Sequence, residues 1–227
     1  MPRVKICGIT SLKDAKLAEK LGADIEGFIF AQSPRRITPE KAGQIIKKLS
    51  PGVLKAGIFV NEKASEVNNV IRKLHLNIVQ LSGDEPVSYI KQIKGAMIVK
   101  VIRVKSLADL KRQTKKYEKY ADAFLFDTFS KEARGGTGKV FDWKMLKGLK
   151  LSKPFFVAGG ITPENVLKAI KESGPYGVDV CSGVEREKGR KSEGKMRKLF
   201  KEIYRHKAKA SGLKPRKVFK PKAKRQK

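Results

Sequence analysis

Val4-Lys5-Ile6-Cys7-Gly8-Ile9-Thr10 is an apolar run in which β-branched residues alternate with Lys5 and Cys7 before a glycine interrupts it. The alternation predicts a short strand with Lys5 and Cys7 on one face. The glycine ends it, so the thiol falls at the strand's C-terminal end. Working outward, similar short apolar runs recur at 25–31, 54–60, 78–81, 97–104, 123–126, 155–158 and 177–181. Near-continuous apolarity over so few residues is the pattern of parallel strands covered by helices.

Amphipathic stretches separate these runs. Thr38-Pro39-Glu40 and Thr162-Pro163-Glu164 each offer a capping hydroxyl, a proline for the first turn and an early acid, and so predict two helix starts. Ser11 and segments 63–74, 85–93, 106–120 and 191–205 mark the other helices, while a glycine-rich loop and a short helical run over 142–149 follow Asp127. Eight strand–helix units in strict alternation imply a parallel sheet with right-handed crossovers. An open doubly wound sheet is the rival, but no Gly-x-Gly-x-x-Gly follows the first strand. The expected fold is therefore α/β, a single (β/α)8 barrel of the TIM type over residues 1–206; 227 residues suit one such barrel. Residues 207–227 carry eight Lys, two Arg, no acid, and prolines at 215 and 221, which predicts a disordered basic tail.

The charge balance is unusual, with 52 Lys and Arg against 22 Asp and Glu, a formal +30. The tail supplies +10 of this, so the barrel is itself basic and should attract anionic metabolites and polyanions. Weak polyanion or nucleic-acid contact is the partner reading kept for 207–227, beside that of a plain solvated extension. Phe219 is its one aromatic residue and no RNA-binding module is recognisable. No apolar run reaches membrane-span length and no signal peptide is evident, so the expectation is a cytoplasmic protein without membrane contact, monomeric or homodimeric. Cys7 and Cys181 are too few and too far apart for a secreted disulfide scaffold.

Barrel enzymes place their chemistry at the C-terminal ends of the strands, where Cys7 is expected. Closure makes the first and eighth strands neighbours, so Lys5 could pair with Asp179 inside the barrel and Cys7 could approach Cys181 at its rim. A free thiol is only slightly ionised at neutrality, so a base role for Cys7 needs a cationic or dipolar neighbour. Asp127 ends the sixth strand, and burial would suit it to hold a proton near neutrality. Gly135 and Gly136 predict a loop able to close over a ligand. Gly159-Gly160 and Ser182-Gly183 end the seventh and eighth strands, where barrels often hold phosphate on backbone amides.

Lys5-Ile6-Cys7-Gly8-Ile9-Thr10, Phe126-Asp127-Thr128, Gly135-Gly136-Thr137-Gly138-Lys139, Phe141-Asp142-Trp143 and Val178-Asp179-Val180-Cys181-Ser182-Gly183-Val184-Glu185 together resemble the phosphoribosylanthranilate isomerase family of tryptophan biosynthesis. The resemblance runs from about residue 4 to residue 204. It implies an Amadori rearrangement of N-(5-phosphoribosyl)anthranilate, a phosphorylated small molecule, to the 1-deoxyribulose 5-phosphate product. On this resemblance Cys7 is the general base and Asp127 the general acid. Arg35, two residues after Ser33, holds the substrate carboxylate, with Arg36 as the neighbouring alternative. Gly159, Gly160, Ser182 and Gly183 hold the phosphate, and no metal or organic cofactor is required.

Two positions depart from the family: Ser82 stands where a histidine is frequent, and Cys181 where a serine is usual. The related histidine-pathway isomerase uses aspartates on strands one and five, whereas this chain has Cys7 on the first and no acid in 97–104. A triosephosphate-isomerase-like reading fails because His75 and His206, the only histidines, fall in helical stretches. A nucleic-acid-binding protein on a retired barrel is the reading from another functional class.

Overall fold

A computed structural model of the chain describes residues 2–128, 141–147, 149 and 151–209. The elements follow in the order β1 (Arg3–Cys7), α1 (Leu12–Leu21), β2 (Ile25–Ile29), α2 (Pro39–Ile46), β3 (Leu54–Phe59), α3 (Ala64–Leu74) and β4 (Ile78–Leu81). Then come α4 (Val87–Ile90), β5 (Met97–Val104), α5 (Leu107–Tyr117), β6 (Ala123–Thr128), a 3-10 turn at Trp143–Leu146, β7 (Phe155–Val157), α6 (Val166–Ser173) and β8 (Gly177–Val180). A 3-10 turn at Ser182–Val184, a small antiparallel pair β9 (Glu185–Glu187) and β10 (Arg190–Lys191), and α7 (Glu193–Lys209) complete the chain as described. The eight parallel strands β1–β8 close in sequence order into one barrel. The expected fold is borne out.

Strand periodicity divides the core into two layers. Ile25, Ala56, Ile78, Val99, Val101, Ala123, Leu125, Phe156 and Ala158 form a small cluster. It fills the barrel interior, because it takes one face of every strand it draws on. The alternate residues, such as Ile6, Phe28, Ile102, Phe124 and Phe126, join the larger cluster between barrel and helices. On β6 this sequence of inward residues runs Ala123, Leu125, Asp127, so the last inward side chain is a carboxylate. On β1 it runs Lys5, Cys7, and the register Lys5↔Asp179 on β8 puts the charged pair inside the barrel.

Three helix starts follow the capping chemistry. Ser11, Thr38 and Ser106 each accept a hydrogen bond from the backbone N–H three residues on, and Pro39 opens α2 as read. The second Thr-Pro-Glu is different: Thr162 Oγ1 caps the N–H of Glu164 at 3.2 Å, and Asn165 Oδ1 accepts the N–H of Thr162 at 2.8 Å. These local bonds close a turn over 163–165, and α6 begins only at Val166. The helix expected over 85–93 shrinks to α4, and the run over 142–149 to a single 3-10 turn. The last helix continues through Lys209, and residues 210–227 lie outside those described.

Candidate active site

The C-terminal mouth of the barrel gathers Cys7 from β1, Asp127 from β6, Asp179 from β8 and Cys181 just beyond it. Beneath them Lys5, 3 % exposed, bonds Asp179 Oδ2 at 2.9 Å and donates to Gln80 Oε1 at 2.7 Å. Gln80 Nε2 in turn donates to Ser82 Oγ at 3.2 Å, so the serine ties into the same interior chain. Asp179 Oδ1 is buried without a hydrogen-bond partner among the described residues. The pairing of Lys5 with Asp179 expected from strand alternation is therefore present. Burial alone would lower the Lys5 ammonium, but the charge and hydrogen bond of Asp179 together with the Cys7 and Cys181 sulfurs outweigh it and hold Lys5 above its ordinary value.

Asp127 is the last inward residue of β6 and stands in register with Arg103 on β5. Burial pushes its carboxyl up to about 6, helped by the charge of Asp179 and opposed by the Thr128 backbone N–H and by Arg103 and Lys5. The Thr128 N–H donates to Oδ1 at 2.8 Å. Gly159 follows β7 at φ 81°, and a Cβ there would lie 2.3 Å from Thr128 Oγ1 and 2.7 Å from Asp127 Oδ1. Only glycine brings this loop against the acid.

Cys7 and Cys181 are free thiols at the ends of the paired strands β1 and β8, as strand adjacency suggested. The neighbouring Cys181 sulfur pushes the Cys7 thiol up, as does burial, against the pull of Lys5. Cys181 is held down at about 7 by the neighbouring Cys7 thiol, aided by the Lys191 and Arg35 charges and opposed by burial. Gly8 closes the floor at φ 71°; a Cβ there would sit 2.9 Å from Arg35 Cδ and 3.0 Å from Cys181 Sγ. The strand-ending glycine therefore lets Arg35 and Cys181 pack over β1.

Arg35 reaches the mouth, whereas Arg36 is exposed and bridges β2 through its backbone. The Arg35 fork is already engaged: Nε donates to Glu185 Oε1 at 2.9 Å and Nη2 to Oε2 at 2.7 Å. Among the described residues no hydrogen bond engages its Nη1 edge. Glu185 also meets Lys191 Nζ at 3.1 Å, and that ammonium donates to the carbonyls of Cys7 at 2.6 Å and Cys181 at 3.2 Å. Burial alone would raise the Glu185 carboxyl; the Arg35 hydrogen bonds and the two cations outweigh it.

Sequence reasoning gave no role to Glu185 or Lys191. The signal was the alternation of acids and bases about a glycine in Glu185-Arg186-Glu187-Lys188-Gly189-Arg190-Lys191, which is hairpin patterning. Gly160 continues the β7 loop at φ 64°, and Ser182 and Gly183 open the 3-10 turn after β8. These two loops touch, since a Cβ on Gly183 would fall 1.9 Å from the Ile161 carbonyl oxygen. Gly135 and Gly136 lie outside the described residues. Among the described residues, no group of three or more His, Cys, Asp or Glu side chains is placed to share a metal ion, and no helix is long and apolar enough to cross a membrane.

Residues 4–202 match the family model described as N-(5'phosphoribosyl)anthranilate (PRA) isomerase. The N-(5'-phosphoribosyl)anthranilate isomerase of Caldanaerobacter subterraneus subsp. tengcongensis is 43% identical over 203 residues, covering 89% of this chain and 98% of its own. A crystal structure of phosphoribosyl anthranilate isomerase in complex with reduced 1-(o-carboxyphenylamino)-1-deoxyribulose 5-phosphate superposes with a TM-score of 0.80 at 35% identity, covering 94% and 100% of the two chains. Monomers of the dimeric phosphoribosylanthranilate isomerase from Thermotoga maritima superpose with a TM-score of 0.79, again at 35% identity and 94% and 100% coverage.

Proposed function

The chain belongs to the N-(5'-phosphoribosyl)anthranilate isomerase family and isomerises N-(5'-phosphoribosyl)anthranilate in tryptophan biosynthesis, and we propose that Cys7 and Asp127 are the base and acid of that reaction. The observation that carries the assignment is the placement of both groups as the last inward side chains of their strands, at the C-terminal mouth of a closed barrel. Asp127, with its carboxyl near 6, retains a proton in part of the molecules close to neutrality. It donates that proton to the furanose ring oxygen as the C1–O bond breaks, which leaves an open-chain iminium.

The iminium acidifies the C2–H bond, and the Cys7 thiolate removes that proton to give an enolamine. Protonation at C1 by the Cys7 thiol and transfer of the C2 hydroxyl proton to the Asp127 carboxylate then yield the ketone and restore both groups. The backbone amides of Gly159, Gly160, Ser182 and Gly183 hold the phosphate, and Arg35 holds the anthranilate carboxylate through its remaining edge. Fixing the sugar between two anchors places the ring oxygen and C2 against acid and base without a metal or organic cofactor. The protein acts in the cytoplasm as a monomer or homodimer, and any polyanion contact of 207–227 is additional to this activity.

Fluorescence decay of freshly generated phosphoribosylanthranilate tests the assignment. Cys7→Ala and Asp127→Asn should each lower kcat/KM by roughly 10²–10⁴-fold. Turnover that survives Cys7→Ala removes the thiol as base, and turnover that survives Asp127→Asn removes the carboxyl as acid.

A further inference from the structure

The thiol pair is asymmetric in its surroundings. The parallel register Lys5↔Asp179, Ile6↔Val180 brings Cys7 beside Cys181 one step further on. Below Cys7, the Lys5 ammonium is matched by the Asp179 carboxylate at 2.9 Å. Beside Cys181 the balance is different: Arg35 and Lys191 share the single carboxylate of Glu185, at 2.7 and 3.1 Å. Two cations against one anion leave a surplus positive charge there. The Lys191 ammonium is fully buried and lies 3.9 Å from Cys181 Sγ. The Arg35 stem and Cys181 Sγ flank the same point above Gly8. Across the mouth stand Asp127 and, in register with it on β5, Arg103.

We propose that Cys181 is the positioning partner that unloads Cys7: the substrate-free pair holds one proton, carried on Cys7 and directed at a Cys181 thiolate. The inference rests on Cys7 being the base. The surplus charge beside Cys181 compensates that thiolate, as a buried anion requires. When Cys7 turns to the substrate, its proton passes to Cys181, and the Cys7 sulfur takes the proton from C2. The pair then carries two protons and resets by returning one to C1 of the enolamine, so no oxidant or outside base is consumed. The lowering of Cys181 to about 7 and the raising of Cys7 agree with this division. The two sulfurs titrate as one unit. A serine at 181 cannot do this, because its hydroxyl does not ionise near neutrality.

The test compares Cys181→Ser and Cys7→Ser with wild type, by ultraviolet thiolate absorbance against pH and by kcat/KM against pH. One thiolate should titrate near neutrality in wild type and in Cys7→Ser, and should be missing from Cys181→Ser. In Cys181→Ser the acid limb of kcat/KM should move up by about one to two pH units, with turnover down about tenfold near pH 6.5 and the rates converging as pH rises. A neutral-range thiolate that persists in Cys181→Ser assigns the anion to Cys7 and overturns the proposal. A loss uniform across pH makes Cys181 a packing residue and overturns it as well. Turnover retained by Cys7→Ser defeats the base assignment instead, so the two failures are distinguishable.

Discussion

Two strands of the barrel wall each carry a buried lysine, on opposite faces of that wall. Lys5 points inward from β1 at 3 % exposure, and Lys100 points outward from β5 at 2 %. Each faces a carboxylate, Asp179 at 2.9 Å and Glu85 at 2.7 Å. Around Lys100 the hydrogen bonding is complete. Its Nζ donates to Glu85 and to the carbonyls of Gly83 at 2.7 Å and Leu81 at 3.3 Å. Glu85 Oε1 accepts from the N–H groups of Asn61 at 3.0 Å and Gly83 at 2.9 Å, and Tyr117 donates to its carbonyl at 3.0 Å. This network ties the loops after β3 and β4 to β5 and α5. Around Lys5 it is incomplete: Lys5 bonds two partners, and Asp179 Oδ1 has none among the described residues. A closed network fixes shape, whereas an open one under a mouth retains capacity for a ligand.

Lys100→Met should produce the larger effect and should act on stability. It strands the Glu85 carboxylate in the helix layer, at a cost of about 3–5 kcal/mol in urea unfolding. Since Lys100 lies outside the barrel, kcat/KM per folded molecule should change by less than about threefold, within the range of distant structural changes. A selective collapse of kcat/KM at unchanged stability would break the distinction between the two lysines. Lys5→Met should behave in the opposite way, lowering kcat/KM on the order of 10²-fold, the scale of losing one preorganised charge beside a reacting centre. Lys5 also pulls down both the Cys7 thiol and the Asp127 carboxyl. Its removal therefore raises both, and both limbs of the kcat/KM profile should move to higher pH. Limbs that stay in place would make Lys5 a structural residue like Lys100.

The inner lysine was legible in the sequence and the outer one was not, for a physical reason. Period-two alternation places Lys5 and Cys7 on one face of β1 and Asp179 and Cys181 on one face of β8, and closure makes those strands adjacent. Nothing local assigns a partner to Lys100. Its carboxylate comes from a loop fifteen residues earlier, and only the three-dimensional course of that loop brings them together. Glu185 and Lys191 escaped similarly, because their role depends on β9 and β10 folding back over the first strand end. Arg35 lies at the mouth, but its engagement by Glu185 was invisible without the fold. The start of α6 was misplaced because Thr162 and Asn165 bond locally and close a turn before the helix can begin.

Glu26 extends the comparison to a buried ionisable group with no partner. It lies on β2 facing the helix layer, at 0 % exposure, and neither carboxyl oxygen has a hydrogen bond among the described residues. Burial pushes it up to about 8, with the Glu19 charge adding to the effect and Lys16 and Lys55 opposing it. In the unfolded chain the same group ionises at about 4.3. Below that value both states bind the proton and Glu26 is neutral to stability. Between about 4.3 and the folded value the unfolded chain alone releases its proton, so stability falls as pH rises, by up to about 1.4 kcal/mol per pH unit. Above the folded value both states are ionised and the loss is complete. Glu26→Gln cannot ionise, so its unfolding free energy relative to wild type should rise steadily from pH 5 to pH 8. Urea melts of the two proteins at both pH values provide the check. An offset that stays constant with pH would mean that Glu26 is already charged in the fold, held by water or by Lys16 or Lys55, and that this layer, like the one around Lys100, is closed.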